Sequence, residues 1–172
     1  MEQPLFLVGQ FLGIVAIGLG FLSYQMKTQN GLLLAQTSTT LVFCLHYLLI
    51  GAYSGMALNA VALLRNLVFL FLSKKGKIHK AWAVGFSAVM GIMGLLSWES
   101  WYSIFVFLGL VINSYCMSFD NPQNIRKSIL VTSPLVLLYD VFVWSIGGII
   151  YESVAICSSA IGIFRNKTSK IS

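Results

Sequence analysis

Seven apolar runs, each close to the roughly 20 residues that a helix needs to cross a bilayer, follow one another with short polar breaks, and nothing else constrains this chain as strongly. They cover 5–24, 32–50, 56–72, 81–96, 101–117, 128–146 and 149–164. Hydrocarbon offers peptide groups no hydrogen bonds, so such runs are expected as helices. Charged residues make up 9% of the chain and hydrophobic ones 58%, against about 25% charged in ordinary soluble domains. A soluble globular domain is excluded. Seven spans of about 20 residues take roughly 140 positions, so a chain of 172 residues has little left for anything outside the membrane.

The net charge of +6 would suggest a nucleic-acid partner in a soluble chain, but its placement points to a membrane instead. With the spans alternating in direction, Lys27, Lys74, Lys75, Lys77, Lys80, Arg126, Lys127, Arg165, Lys167 and Lys170 fall on one side. The other side receives Glu2 and Glu99 and no basic residue. The positive-inside rule therefore predicts an external N-terminus, a cytoplasmic C-terminus and an odd number of crossings. Tryptophan prefers the membrane interface, and Trp98, Trp101 and Trp144 mark the expected outer boundary, Trp82 the inner one. Glu2 stands where a signal peptide would be basic, so the first span is expected to persist. Cys44, Cys116 and Cys157 read as small buried hydrophobes, with no disulfide and no metal.

The chain also repeats itself. Ser23-Tyr24-Gln25-Met26 closes the first span and Ser114-Tyr115-Cys116-Met117 the fifth, at an offset of 91. Ser54-Gly55 and Gly147-Gly148 precede the third and seventh spans, with Gly55 and Gly148 separated by 93. Spans 1, 2 and 3 thus match spans 5, 6 and 7. Two three-span units joined directly would be inverted, so the unmatched, glycine-bearing fourth span restores the direction and makes the units parallel. The expected organisation is a three-helix repeat over 5–73, a linker helix over 81–96, a second repeat over 101–166 and a cytoplasmic tail over 167–172.

The run His46-Tyr47-Leu48-Leu49-Ile50-Gly51-Ala52-Tyr53, the pair Leu64-Arg65, and Ser145-Ile146-Gly147-Gly148 with Glu152 and Ile163-Phe164-Arg165 resemble the YgjV-type family of bacterial inner-membrane proteins. That resemblance spans nearly the whole chain. The family is grouped with the SWEET, semiSWEET and PQ-loop (MtN3-like) proteins, which implies an all-α membrane fold of seven helices in a 3+1+3 order, with a central solute path and alternating access. The sequence departs from the SWEET pattern in three ways. Tyr24-Gln25 and Tyr115-Cys116 replace the Pro-Gln pair, and Pro122-Gln123 lies out of register. Pro134 is the one hinge proline in a matching helix, with Leu41 opposite it in the first repeat. The sugar-binding asparagine has candidates in Asn59 and Asn66, but only Ser158 and Ser159 in the second repeat.

An ionisable group at membrane depth costs about 2.5–3.5 kcal/mol on insertion scales and needs a reason. Arg65 is expected about 15 Å deep, near the middle of the core. Asp140 and Glu152, at a shallower depth, are its expected partners, with His46 and Tyr47 nearby. The register pairs Tyr47 with Asp140 and Asn59 with Glu152. The candidate solute-binding residues are therefore Arg65, Asn59, Asp140, Glu152, His46 and Ser159, with Pro134 as hinge. A purely structural inter-helix charge cluster would explain the same residues. Thr37-Ser38-Thr39-Thr40 are expected to bond their own backbone a turn away.

No metalloprotease, nucleophile-elbow or phosphate-loop motif is present, so no enzymatic activity and no cofactor are expected. The expected function is a transporter or facilitator of a small polar solute; the alternative is a ligand-sensing or partner-binding membrane protein of the same build. The partners expected are that solute and the lipid bilayer, not nucleic acid, with homo-oligomerisation left open.

Overall fold

A computed structural model describes residues 3–26, 28–76, 78–119 and 122–168. Glu2, Lys27, Lys77 and the end of the expected tail, Lys170 included, lie outside the described residues, as do the side chains of Tyr24, Gln25, Pro122, Phe164, Arg165 and Lys167. The described chain forms seven helices: α1 (Gln3–Gln25), α2 (Gln29–Ile50), α3 (Tyr53–Lys75), α4 (Lys80–Leu96), α5 (Ser103–Cys116), α6 (Pro122–Phe142) and α7 (Ile146–Thr168). Three of them, α2, α3 and 4–22 within α1, are long and apolar enough to cross a bilayer by length and composition alone. Helices α4 and α5 and residues 146–161 of α7 are apolar but shorter.

Local chemistry sets the ends. The Thr28 hydroxyl accepts the Gly31 N–H at 3.2 Å and caps α2, and His79 Nδ1 accepts the Ala81 N–H at 3.2 Å to cap α4. Lys74 and Lys75 close α3, where the helix dipole favours cations. Two boundaries differ from the hydropathy reading. α6 starts at Pro122 rather than 128, because proline suits a first helical turn and hydropathy does not register the polar turn that follows it. It also stops at Phe142 rather than 146, because Trp144 adopts a left-handed conformation (φ 54°).

That turn duplicates the one between α2 and α3. Gly51 (φ 78°) donates to the Leu48 carbonyl at 3.3 Å, Ala52 to Tyr47 at 2.9 Å and Met56 to Ala52 at 3.0 Å. Trp144 donates to Val141 at 3.4 Å, Ser145 to Asp140 at 2.9 Å and Ile149 to Ser145 at 2.9 Å. Each donor and acceptor of the second set lies 93 positions beyond its counterpart in the first. The two turns share one hydrogen-bond pattern although Trp144 stands where the first has Gly51.

Packing follows a closed circuit: α1 on α2, α2 on α3, α3 on α5, α5 on α6, α6 on α7, and α7 back on α1. Helix α4 lies outside this six-helix ring against α3 and α5, with Phe86 edge-on to Phe69 of α3 at 5.7 Å. The ring closes at α1 and α7 through backbone contact. A Cβ built on Gly13 would meet the Gly147 Cα at 2.8 Å, so these helices touch without side chains between them. Gln10 of α1 clamps the same junction, donating to the Trp144 carbonyl at 2.7 Å and accepting the Ile146 N–H at 3.1 Å. Around the α3 start, Ser54 takes Glu99 Oε2 on its N–H at 2.8 Å and bonds Ser97 and Ser103 through its hydroxyl.

These contacts gather the α2–α3, α4–α5 and α6–α7 turns at one end, with Trp98, Trp101 and Trp144 exposed there. The opposite end carries Lys74, Lys75, Lys80, Arg126 and Lys127, and there Gln29 donates to the Phe119 carbonyl at 3.1 Å. The outer surface is studded with apolar side chains such as Leu7, Phe11, Leu64, Ile92, Leu96 and Ile161. Lipid suits such a surface and water does not.

A left-handed conformation costs a non-glycine residue roughly 1–2 kcal/mol. Gly51→Ala is expected to lower unfolding stability in detergent by about that amount, and Trp144→Gly to raise it, as read by denaturant titration. Loss of stability in both variants would show that the two turns are not strained alike.

Candidate functional site

The ring encloses a cavity of about 70 Å³. α2 contributes Gln36, Thr39, Thr40 and Phe43, α3 Asn59 and Arg65, α5 Asn113, α6 Thr132 and Ser133, and α7 Tyr151 and Glu152. The hydroxyls of α2 point inward because its leucines occupy the lipid side: Thr39 and Thr40 are buried, Leu34, Leu41, Leu45 and Leu48 exposed. Thr37, Ser38, Thr39 and Thr40 each donate to the carbonyl one turn back, at 2.7–3.3 Å. The oxygens of Thr39 and Thr40 keep lone pairs for the cavity.

Arg65 is 3% exposed. Its Nε and Nη2 both donate to Asn66 Oδ1, at 3.1 and 2.8 Å, and Nη1 donates to Asn113 Oδ1 at 3.4 Å. Asn66 in turn donates to Thr40 Oγ1 at 3.3 Å. The guanidinium is thus held between α2, α3 and α5. Among the described residues no carboxylate stands within ion-pair distance of it, contrary to the pairing expected from sequence. Asp140 sits two residues from the end of α6 because that helix stops at Phe142, whereas Arg65 lies twelve residues into α3, about 18 Å from its start. The two charges occupy different depths. Glu152 does share the cavity with Arg65.

Asp140 belongs to a second polar cluster, at the tryptophan-bearing end. Tyr47 Oη donates to Asp140 Oδ1 at 2.6 Å, and Asp140 Oδ2 is buried with no hydrogen bond. His46 Nδ1 lies 2.7 Å from the Gly9 carbonyl, which can only accept, so this nitrogen carries the proton. Its Nε2 lies 2.7 Å from Ser145 Oγ, which also accepts the Gly148 N–H at 3.1 Å. Tyr139 Oη accepts the Gly55 N–H at 2.9 Å. Phe43, Tyr47, Tyr139 and Tyr151 wall the cluster, with Phe43 edge-on to Tyr151 at 4.8 Å.

A family model described as Imp-YgjV, bacterial inner membrane protein, matches residues 7–170. The chain belongs to that family. Comparison with curated proteins and with solved structures finds no match. The membrane location read from the apolar helices therefore has independent support in the Imp-YgjV match.

In this Imp-YgjV chain the residues singled out from sequence divide into groups. Arg65, Asn59 and Glu152 line the cavity, Asn59 with its Nδ2 on the Gly55 carbonyl at 2.9 Å. His46 and Asp140 sit in the second cluster, which Tyr47 joins to the cavity wall. Ser159 is buried away from both, its hydroxyl without a partner. Pro134 lies inside α6 beside Ser133 and has no N–H for the carbonyl one turn back. Asn113, Tyr139 and Gln10 escaped the sequence reading, and Ser145 entered it only as part of the run that resembles the YgjV-type family. Gln10 carried a usable signal, a lone amide in an otherwise apolar stretch of the first helix. Cys44, Cys116 and Cys157 are free thiols, and among the described residues no group of His, Cys, Asp and Glu gathers as a metal site.

Tyr47→Phe removes the donor to Asp140 and is expected to cost about 1.5–3 kcal/mol of stability. Replacing both partners by apolar groups, Tyr47→Phe with Asp140→Leu, should cost less than the sum of the two single changes, because neither is then left buried without its partner. Additive effects in the double-mutant cycle would show that the 2.6 Å contact contributes nothing.

Proposed function

We propose that this protein is a transporter or facilitator of a small polar solute, working by alternating access between the bundles α1–α3 and α5–α7, with α4 as the linker. The carrying observation is Arg65: a buried guanidinium without an acid partner, aimed into a polar cavity at the centre of a helix ring. A charge kept in such a place for stability alone would be expected to have its counter-charge beside it.

The circuit of helix contacts supports two parallel repeats. A two-fold axis along the ring would carry α1 to α5, α2 to α6 and α3 to α7, and the six contacts observed are the ones such an axis requires. The duplicated turns support the same register. So does the Tyr47–Asp140 bond, which joins two positions 93 apart. Register partners touch each other only on the axis itself. Two parallel repeats joined by α4 would have the 3+1+3 order of the SWEET and PQ-loop proteins.

In this reading Arg65, Asn59 and Glu152 meet the solute. Asp140 and His46, with Tyr47 and Ser145, latch the two bundles at the outer end, Pro134 loosens α6, and Ser159 offers a free hydroxyl when α7 moves. No enzymatic step is involved. The basic end faces the cytoplasm and the N-terminus faces out, as the distribution of lysine and arginine requires. With the native cysteines replaced by alanine, Ser100→Cys in intact cells should react with a membrane-impermeant maleimide, and Lys80→Cys only after permeabilisation. The reverse pattern would invert the topology.

Uptake into liposomes, screened over sugars, organic acids and amines with and without a pH gradient, tests the function. Flux of one class is expected, lost in folded Arg65→Ala and Asp140→Asn. Normal flux in both variants removes their roles, and absence of any flux favours the sensing or partner-binding alternative.

A further inference from the structure

The cavity's chemistry narrows the solute class. Resting on the reading of this cavity as the solute site, we propose that it takes a small monocarboxylate together with one proton, the anion on Arg65 and the proton on Glu152.

Donor counting comes first. A guanidinium has five N–H bonds in one plane. Asn66 takes two of those on Arg65 and Asn113 takes one, leaving one N–H on each terminal nitrogen. Two free N–H groups on a fixed cation suit the charged oxygen atoms of a carboxylate better than a neutral hydroxyl. Asn66, itself anchored on Thr40, keeps the ring of donors from turning away. The guanidinium is already oriented before any ligand arrives.

Charge balance comes second. Arg65 and Glu152 are the charged residues lining the cavity. With Glu152 ionised the cavity is neutral overall, and a second carboxylate entering it would meet repulsion. With Glu152 protonated the cavity carries one net positive charge, which one monovalent anion neutralises. A divalent anion would leave the loaded site charged in a low-dielectric interior. Anion and proton therefore enter together. The proton comes from water, rests on a Glu152 carboxyl oxygen and returns to water on release; no other bond changes.

Asp140 is the other acid near Glu152, and it does not line the cavity. Asp140 on α6 and Tyr47 on α2 are bonded to each other, Tyr139 is bonded to Gly55, Tyr151 lies within the aromatic wall, and the described side chains of α1 include none that titrates. The space inside the lining, about 70 Å³, holds a handful of waters, so a small acid suits it.

Calorimetric titration of the purified full-length protein with sodium acetate and sodium lactate tests the proposal without relying on flux. Affinity for the anion is expected to strengthen about tenfold per unit fall in pH wherever Glu152 is ionised in the empty protein, with one proton taken up per anion in buffers of differing ionisation heat. Glu152→Gln should bind as tightly as the wild type at low pH, at every pH and without proton uptake. Arg65→Gln should abolish binding, and Arg65→Lys should weaken it at least tenfold while keeping its pH dependence; monodisperse elution checks that each variant is folded. Unchanged pH dependence in Glu152→Gln, or tighter binding of glucose, methylamine or phosphate than of acetate and lactate, would overturn the proposal. Carboxylate binding without flux would retain this inference and sink transport. Arg65-dependent flux of a sugar or an amine would do the opposite.

Discussion

Arg65 carries its charge into the interior of a bundle whose outside is lipid, and the way the chain satisfies that one guanidinium organises the helices around it. The Gln36 carbonyl, Thr40, Asn66, Arg65 and Asn113 form one continuous run of hydrogen bonds from α2 through α3 to α5. Each amide in the run therefore has its orientation dictated by its neighbour, and the arginine is fixed to the junction between the two halves of the ring. The same bonds consume three donors and leave two, which makes a rigid structural device also a receptive one.

The two junctions of the ring are built from different materials. Between α3 and α5 stand the Ser54, Glu99 and Ser103 hydrogen bonds, the Arg65–Asn113 contact and the bracing helix α4. Between α1 and α7 two glycines meet, and Gln10 spans the turn with both ends of its amide. His46 adds a link from α2 to both, through the Gly9 carbonyl and the Ser145 hydroxyl. Opening the second junction breaks these bonds and lifts the Tyr151 ring off Gly20; opening the first also means moving α4.

Much of this was legible in the sequence because bilayer thickness converts composition into helix count almost directly. The seven helices, the separation of the lysine-rich end from the one with three tryptophans, and the backbone-bonded hydroxyls of Thr39 and Thr40 all follow from polarity at a given spacing. The placement of Asp140 did not. Hydropathy carried the sixth span through Ser145 to 146, since a left-handed turn at Trp144 leaves no mark in polarity and tryptophan is a poor advertisement for positive φ. Shortening the helix moved Asp140 to its rim and out of reach of Arg65. Asn113 was hidden for another reason: an asparagine in an apolar helix declares a need for partners without naming them, and its partner came from a helix 48 positions away.

The weakness of the internal repeat has a chemical cause on the proposed axis. Off-axis positions face an environment that their counterparts share, and there the residues stay alike: Thr39 with Thr132, Thr40 with Ser133, Ala62 with Ala155. A position on the axis faces its own counterpart. Two aspartates meeting there would set like charges against each other in a dry interior, and two tyrosines would crowd ring against ring with one hydroxyl left over. Tyr47 against Asp140 gives a donor and an acceptor, 2.6 Å apart. On such an axis the chain would have to break its own symmetry where the halves touch. Asn59 and Glu152, also 93 positions apart, differ in the same way: both line the cavity, one as an amide and the other as an acid.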